Sequence, residues 1–145
     1  MIGTELIGTE LQRRTLVAAA VCGALAVLFG AFGAHGLPDF LQSRGLDAET
    51  IIKRSGQFDV AARYHLVHAV VLLVIAAIPF GSDRIRRVAA WLMLLGILFF
   101  SGSLYLLVAL NTPWLGAVTP IGGLLWIAGW LSLLGLAKRP EAVDR

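Results

Sequence analysis

Four long runs of apolar residues, separated by short polar or turn-forming segments, dominate the pattern of hydrophobic and polar positions. The runs lie at about residues 15–35, 61–80, 88–110 and 115–137. Each is close to the roughly 17 to 25 residues that a helix needs to cross the hydrocarbon of a bilayer. The pattern therefore predicts an all-α membrane protein, a four-transmembrane-helix bundle over residues 15–137 with tails at residues 1–14 and 138–145.

The only long polar segment, between the first and second runs, carries the pattern of an amphipathic helix. The Leu-Pro-Asp sequence at residues 37–39 should end the first helix or turn the chain. From Asp47 onward, apolar residues recur at helical spacing and charged residues occupy the other faces. We therefore predict an additional amphipathic interfacial helix that runs into the second span. Asp59 and Arg63 are four residues apart and could form an exposed ion pair.

The start of the chain has two alternative interpretations. The tandem repeat IGTELIGTEL at residues 2–11 is either an apolar helical face at the membrane surface or a frayed tail. The apolar run after Arg13 and Arg14 could also be a cleavable signal peptide, with small residues near Ala31 and Gly33. We favour a membrane span, because the run is long for a signal peptide.

Small residues recur at every fourth position of the first run, at Ala18, Cys22, Ala26, Gly30 and Ala34. Such a stripe allows another helix, in the same or another chain, to approach closely. Cys22 is the only cysteine, which excludes an internal disulfide, and we interpret it as a packing residue. Gly122 and Gly123, after Pro120, are expected to serve a kink or a close helix approach.

Composition and charge agree with a membrane protein. Hydrophobic residues make up 58% and charged residues 14%, against roughly 45–50% and 25% in soluble proteins. The net charge of +3 does not indicate nucleic-acid binding, because the basic residues stand in small groups at the ends of apolar runs. The predicted partners are the lipid bilayer and a homo-oligomer or larger membrane complex, with no nucleic acid.

The distribution of Lys and Arg predicts the orientation. Eight of the 12 basic residues fall in the two tails and the turn between the second and third runs. The other four lie in the first loop, among acidic residues that balance them. The positive-inside rule therefore places the N- and C-termini in the cytoplasm.

This orientation brings the polar residues of the spans together near their outer ends. They are His35, Tyr64, His65, His68, Ser101, Ser103, Tyr105 and Thr119. Three interpretations stay open: a hydrogen-bond network between helices, a pocket for a lipid head group, quinone or other amphiphile, or a metal or haem site on His35, His65 and His68. No cofactor is predicted, and metal or haem remains the alternative.

Catalysis would require a nucleophile and a base within reach of each other. Ser101 or Ser103 with His68 is conceivable, but no motif supports the pair, and CxxC, P-loop, GxGxxG and HExxH motifs do not occur in the sequence. We therefore assign no catalytic residue and predict no enzymatic activity.

Four segments resemble a known family in their order and spacing. They are Gly30–Leu37 (GAFGAHGL), Tyr64–Leu73 (YHLVHAVVLL), Phe100–Leu107 (FSGSLYLL) and Leu115–Trp130 (LGAVTPIGGLLWIAGW). The chain resembles the YgdD/YwdK-like small inner-membrane proteins, domain of unknown function 423, and is similar to transmembrane protein 256 of mitochondria. The resemblance covers nearly all of the chain after Arg14. It implies a multi-pass protein of the bacterial inner (plasma) membrane with no established activity.

The resemblance also helps to choose between the three interpretations of the polar residues. His35 and His68 fall on motif positions, whereas members often carry glutamine at the position of His65. This favours a network or pocket centred on His35, Tyr64 and His68 over a three-histidine metal site. The predicted function is a non-enzymatic structural or accessory protein in a membrane complex or homo-oligomer. The alternative is a protein that binds or transports a lipid, quinone or other small molecule.

Overall fold

A computed structural model describes residues 2–137, with side chains from residue 10 onward. The C-terminal tail at residues 138–145 and most side chains of the IGTEL repeat lie outside the described residues, and so do the predictions made for them. The elements in chain order are α1 (Ile2–His35), α2 (Leu37–Ser43), α3 (Ala48–Ala77), α4 (Asp83–Gly96), a π-helical segment (Ile97–Gly102), α5 (Ser103–Leu110), a 3-10 turn (Pro113–Ala117), α6 (Thr119–Ser132) and a 3-10 segment (Leu133–Ala137).

Four helical stretches are long and apolar enough to cross a membrane, as the sequence predicted. They are Glu10–His35, Ala48–Ala77, Asp83–Leu110 and Pro113–Ala137. Each stretch contains most or all of one predicted apolar run. Several of the helices are longer than the runs, because flanking polar residues are also helical. The prediction of an all-α bundle with four membrane helices is confirmed.

The first helix ends at His35, just before the Leu-Pro-Asp sequence that was expected to stop it, and a short helix follows that the sequence pattern did not predict. Residues 37–39 begin α2, with Pro38 in its first turn, where the missing N–H leaves no helical hydrogen bond unmade. The amphipathic stretch after Asp47 is the first half of α3 and continues without a break into the second span. The separate interfacial helix is therefore minor, the seven residues of α2.

Local side-chain contacts explain where α3 begins and which face it exposes. The carboxylate of Asp47 accepts a hydrogen bond from the backbone N–H of Thr50 at 2.9 Å and caps the helix. This bond and a second one from the Thr50 hydroxyl lower the pKa of Asp47. At the start of the second apolar run, Asp59 and Arg63 form the exposed ion pair that their spacing predicted.

The third helix is the central element of the bundle. Half of the residues in its most apolar window are buried, against 11% in the first span. Its two halves pack in different apolar clusters. The buried members of the first are Ala19, Val71, Leu72, Ile75, Ala89, Ala90, Met93, Ile97 and Trp126. Those of the second are Leu37, Leu41, Phe58, Ala61, Leu104, Leu107 and Val108.

The predicted small-residue stripe of α1 lies partly inside the bundle. Ala26 is buried, Ala18, Cys22 and Gly30 are half-buried, and Ala34 is exposed. The stripe therefore runs obliquely from the core of the bundle to its surface.

The glycine pair of the fourth span provides a close helix approach. A Cβ atom on Gly122 would lie 2.3 Å from the backbone nitrogen of Phe100, so only glycine fits there. Gly123 is less crowded, since its nearest neighbour would be a Phe100 ring carbon at 4.0 Å. Pro120 stands in the first turn of α6, where proline starts a helix rather than bending it.

Candidate functional site

The π-helical segment of the third span carries the first residue of the candidate site. Such wide turns inside α-helices are often found at functional sites. Ser101 lies in this segment and is fully buried. Its hydroxyl donates a hydrogen bond to the carbonyl oxygen of Ala61 at 2.9 Å and so joins the third span to α3.

His65 points from α3 toward α1 and α5. Its Nδ1 atom lies 3.3 Å from the hydroxyl oxygen of Tyr105. The Tyr105 ring packs on Phe29 and Phe58 at centroid distances of 4.5 and 4.8 Å. The Nε2 atom of His65 is buried and has no hydrogen-bond partner among the described residues. An unsatisfied buried nitrogen is uncommon, which makes this atom the least satisfied polar group of the site.

His68 points to a different neighbour, the indole of Trp126 on α6. The two rings stack face to face, with centroids 3.6 Å apart and planes 3° apart. Nδ1 of His68 donates to the carbonyl oxygen of Tyr64 at 2.8 Å, so in neutral His68 the Nε2 atom is the acceptor. Trp126 Nε1 donates to the carbonyl oxygen of Met93 at 3.2 Å. The stack therefore joins α3, α4 and α6.

Ser103 and Thr119 form a third contact, between α5 and the first turn of α6. Their hydroxyl oxygens are 2.9 Å apart. Ser103 is buried and also lies within hydrogen-bond distance, 3.0 Å, of the carbonyl oxygen of Phe100. This contact holds the N-terminal part of the fourth span against the third span.

His35 lies apart from the other two histidines. It is exposed at the end of α1, six residues or about 9 Å beyond Phe29, which packs near His65. His65 and His68 themselves point about 60° apart on their helix, since they are three residues apart. Among residues 10–137, whose side chains the structure describes, no group of three or more His, Cys, Asp or Glu residues is placed to hold a metal ion.

The polar residues thus form separate contacts between different pairs of helices. In the described part of the chain, neither Ser101 nor Ser103 hydrogen-bonds a histidine, because their hydroxyls contact carbonyl oxygens and Thr119. The arrangement provides hydrogen bonds and ring stacking between helices. It does not provide a serine activated by a histidine.

Sequence reasoning missed a buried arginine in the first half of α3. Arg54 is 6% exposed, and its Nε and Nη2 atoms donate to Oδ1 of Asn111 at 2.9 and 2.7 Å. Its Nη1 atom donates to Gln57 at 2.9 Å. The signal was in the spacing, because Arg54 stands three residues after Ile51 and four before Phe58, on the apolar face of α3.

A second buried arginine lies at the opposite end of the bundle. Arg86 is 7% exposed, and its guanidinium contacts the carboxylate of Asp83 and the carbonyl oxygen of Ile78. It fastens the start of α4 to the end of α3. Arg86 therefore holds the turn after α3, and Arg54 holds the turn after α5 at Asn111.

Comparison with known proteins identifies relatives across most of the chain. The family model described as "Protein of unknown function (DUF423)" matches residues 29–123. The UPF0382 membrane protein SH2409 of Staphylococcus haemolyticus is 40% identical over 119 residues, which cover 82% of this chain and 90% of the relative.

Two further relatives come from other bacteria. The UPF0382 membrane protein YwdK of Bacillus subtilis is 36% identical over 129 residues, 86% of this chain and 95% of YwdK. A UPF0382 membrane protein of Haemophilus influenzae is 32% identical over 123 residues, 85% of this chain and 92% of the relative. No solved structure matches the chain. The relatives are named as membrane proteins, and their names state no activity.

Proposed function

Because the chain belongs to the DUF423 family, membrane proteins of unknown function, we propose that it is a non-enzymatic structural protein of the bacterial inner membrane that pairs with a second copy of itself. One observation carries the proposal, a strip of small residues on the lipid-facing side of α1. We call Ala20, Ala24, Ala31 and Ala34 the small-residue strip; all four are exposed.

The exposed surface of α1 has two sides that differ in the size of their side chains. The strip residues are spaced by four, seven and three positions, which fits a heptad pattern, and Val27 is the one larger exposed residue between them on this face. Gly23 and Gly30 flank the strip, and a Cβ atom on either would meet nothing within 4 Å. The other exposed side carries larger residues, among them Val21, Leu25 and Phe32. Another backbone can therefore lie closer to the first side than to the second.

Close backbone approach is what stabilises helix pairs in lipid. Apolar surface alone gives no driving force there, because lipid tails are as apolar as the helix, so packing of small residues decides which faces associate. Residues 15–34 contain no charged side chain that a partner would have to desolvate. An identical strip on a second copy is complementary to this one by a two-fold axis along the membrane normal.

The position of α1 in the bundle leaves this side free for a partner. Only 11% of the residues in its most apolar window are buried. Its buried side faces α3 through residues such as Ala19 and Ala26, so the strip is not needed to hold the bundle together. A second copy is therefore accommodated without any rearrangement of the four spans.

Cysteine cross-linking in native membranes tests the pairing. The background is Cys22→Ala, which removes the only cysteine and keeps a small residue at that position. Ala24→Cys places a thiol in the strip, and Leu25→Cys is the matched control, because Leu25 is also exposed but lies about 100° away around α1. With a mild oxidant we expect a disulfide-linked dimer from Ala24→Cys and almost none from Leu25→Cys.

The same experiment can contradict the proposal in two ways. Equal cross-linking of both variants would show collision without a defined interface, and absence of a dimer in both would leave the strip unpaired. Cross-links from Ala24→Cys to a different protein would replace self-association by an accessory role in another complex. Ala24→Leu should weaken the dimer, while Ala128→Leu, which adds the same bulk on the exposed side of α6, should not.

The proposal includes an orientation, with both termini in the cytoplasm. Arg13, Arg14 and the arginines at 84, 86 and 87 lie at the same end of the bundle, because the turn after α3 lies beside the start of the first span. The positive-inside rule supports a cytoplasmic position for this end. The loop that contains α2 and the turn at Asn111 would then face outward.

A further inference from the structure

A groove of about 540 Å³ opens between α1 and α4 at the arginine-bearing end of the bundle. Its volume is in the range of ordinary small-molecule sites. Two arginines form its mouth and mostly apolar residues line it further in. The residues that matter here are Arg14, Arg87, Trp91, Ala18, Ala90 and Leu94.

The mouth of the groove carries excess positive charge. Glu10 also lines it and accepts hydrogen bonds from Nε of Arg14 at 2.6 Å and from Nε of Arg13 at 2.9 Å. Among residues 10–137, the two terminal nitrogens of Arg14 have no hydrogen-bond partner, and Arg87 forms no ion pair. The lining of the groove therefore includes two guanidinium groups, of Arg14 and Arg87, and one carboxylate, of Glu10.

Further in, the walls change from cationic to apolar. Ala18, Ala90 and Leu94 form them, and Leu94 lies seven residues or about 10 Å along the helix from Arg87. The hydroxyl of Thr15 donates a hydrogen bond to the carbonyl oxygen of Leu11 in the same helix, at 2.8 Å. Thr15 therefore leaves no free donor in the wall of the groove. Trp91 stands at the edge and is 60% exposed, as tryptophans are at the interface between head groups and hydrocarbon.

We propose that this groove binds one anionic phospholipid, with the phosphate between Arg14 and Arg87 and the first part of an acyl chain along Ala18, Ala90 and Leu94. Guanidinium groups bind phosphate oxygens through paired, charge-assisted hydrogen bonds. Basic pockets between membrane helices bind acidic lipid head groups in the same manner. The change from charged mouth to apolar wall fits a lipid, because a water-soluble anion would gain nothing from the apolar part.

Native mass spectrometry of the full chain, titrated with phosphatidylglycerol or phosphatidylcholine, tests this site. The wild type should retain phosphatidylglycerol as a one-to-one complex and phosphatidylcholine much more weakly. Arg14→Gln and Arg87→Gln should each weaken phosphatidylglycerol binding roughly tenfold, because each removes one charge-assisted contact to the phosphate. Arg84→Gln is the matched control, since Arg84 is an exposed arginine on the same turn that does not line the groove.

A second variant tests the apolar part of the site. Ala18→Leu fills the groove and keeps both arginines, so it should also weaken phosphatidylglycerol binding. Circular dichroism and gel filtration confirm that each variant is folded. The proposal is overturned if Arg84→Gln weakens binding as much as Arg87→Gln, if both lipids bind equally, if Ala18→Leu leaves binding unchanged, or if glycerol phosphate competes at the same concentration as the lipid.

Discussion

Asn111 has two roles at the residue scale, one in its backbone and one in its side chain. Its backbone ends α5 in the left-handed conformation, φ 50°, and its amide oxygen accepts two hydrogen bonds from the buried Arg54. Asn111→Ala removes the acceptor and puts a residue that disfavours this conformation in its place. We expect the free energy of unfolding in detergent micelles to fall by about 2–4 kcal/mol, measured by circular dichroism during denaturation.

The variant Asn111→Gly separates these two roles. Glycine adopts the left-handed conformation without steric cost, so only the hydrogen bonds to Arg54 are lost. The expected decrease in the free energy of unfolding is about 1–3 kcal/mol, smaller than for alanine. Wild-type stability of the glycine variant would mean that the contact between Arg54 and Asn111 does not stabilise the fold.

At the scale of elements, glycines determine how α6 fits against the third span. A Cβ atom on Gly96 would lie 2.2 Å from atoms Cδ1 and Nε1 of Trp126. The indole cannot move aside easily, because it stacks on His68 and donates to the carbonyl oxygen of Met93. Gly96→Ala should therefore push α6 away from α4 and lower the free energy of unfolding by about 1–3 kcal/mol, with a visible change in tryptophan fluorescence.

A second glycine of the same span is the control for this effect. The nearest atoms to a Cβ on Gly102 would be 3.9 Å away, an ordinary contact distance. Gly102→Ala should be neutral or slightly stabilising, because alanine favours helix more than glycine by up to about 1 kcal/mol. Equal stability losses in both variants would show that helix flexibility, and not the contact with Trp126, makes Gly96 necessary.

At the scale of the whole molecule, the number and order of the spans were predictable because the membrane constrains each helix on its own. Every backbone polar group in lipid must be satisfied within its helix, so an uninterrupted apolar run is sufficient evidence for a span. The choice of neighbours has no such local signal. His65 contacts Tyr105 of α5 and His68 contacts Trp126 of α6, whereas the order of the spans alone placed both histidines in one group of polar residues.

Two further features depend on packing that apolar periodicity does not record. The π-helical segment adds a residue to a turn inside the apolar run at 88–110, and nothing in the alternation of polar and apolar residues marks that insertion. His35 lies on the exposed side of α1, because the rotation of this helix is set by contacts such as Gly33 against Phe58. Both features require knowledge of which helix lies opposite.

The orientation of the bundle is tested by labelling single cysteines in intact cells with a membrane-impermeant maleimide. In the Cys22→Ala background, Ser43→Cys places an exposed thiol at the end of α2, and Ser82→Cys places one just before α4. The 30 residues of α3, about 45 Å of helix, separate the two ends. Positive charge at the Ser82 end predicts that Ser43→Cys reacts in intact cells and Ser82→Cys only after permeabilisation. Leu28→Cys, in the lipid-facing part of α1, should stay unlabelled in both conditions, and labelling of Ser82→Cys in intact cells would reverse the proposed orientation.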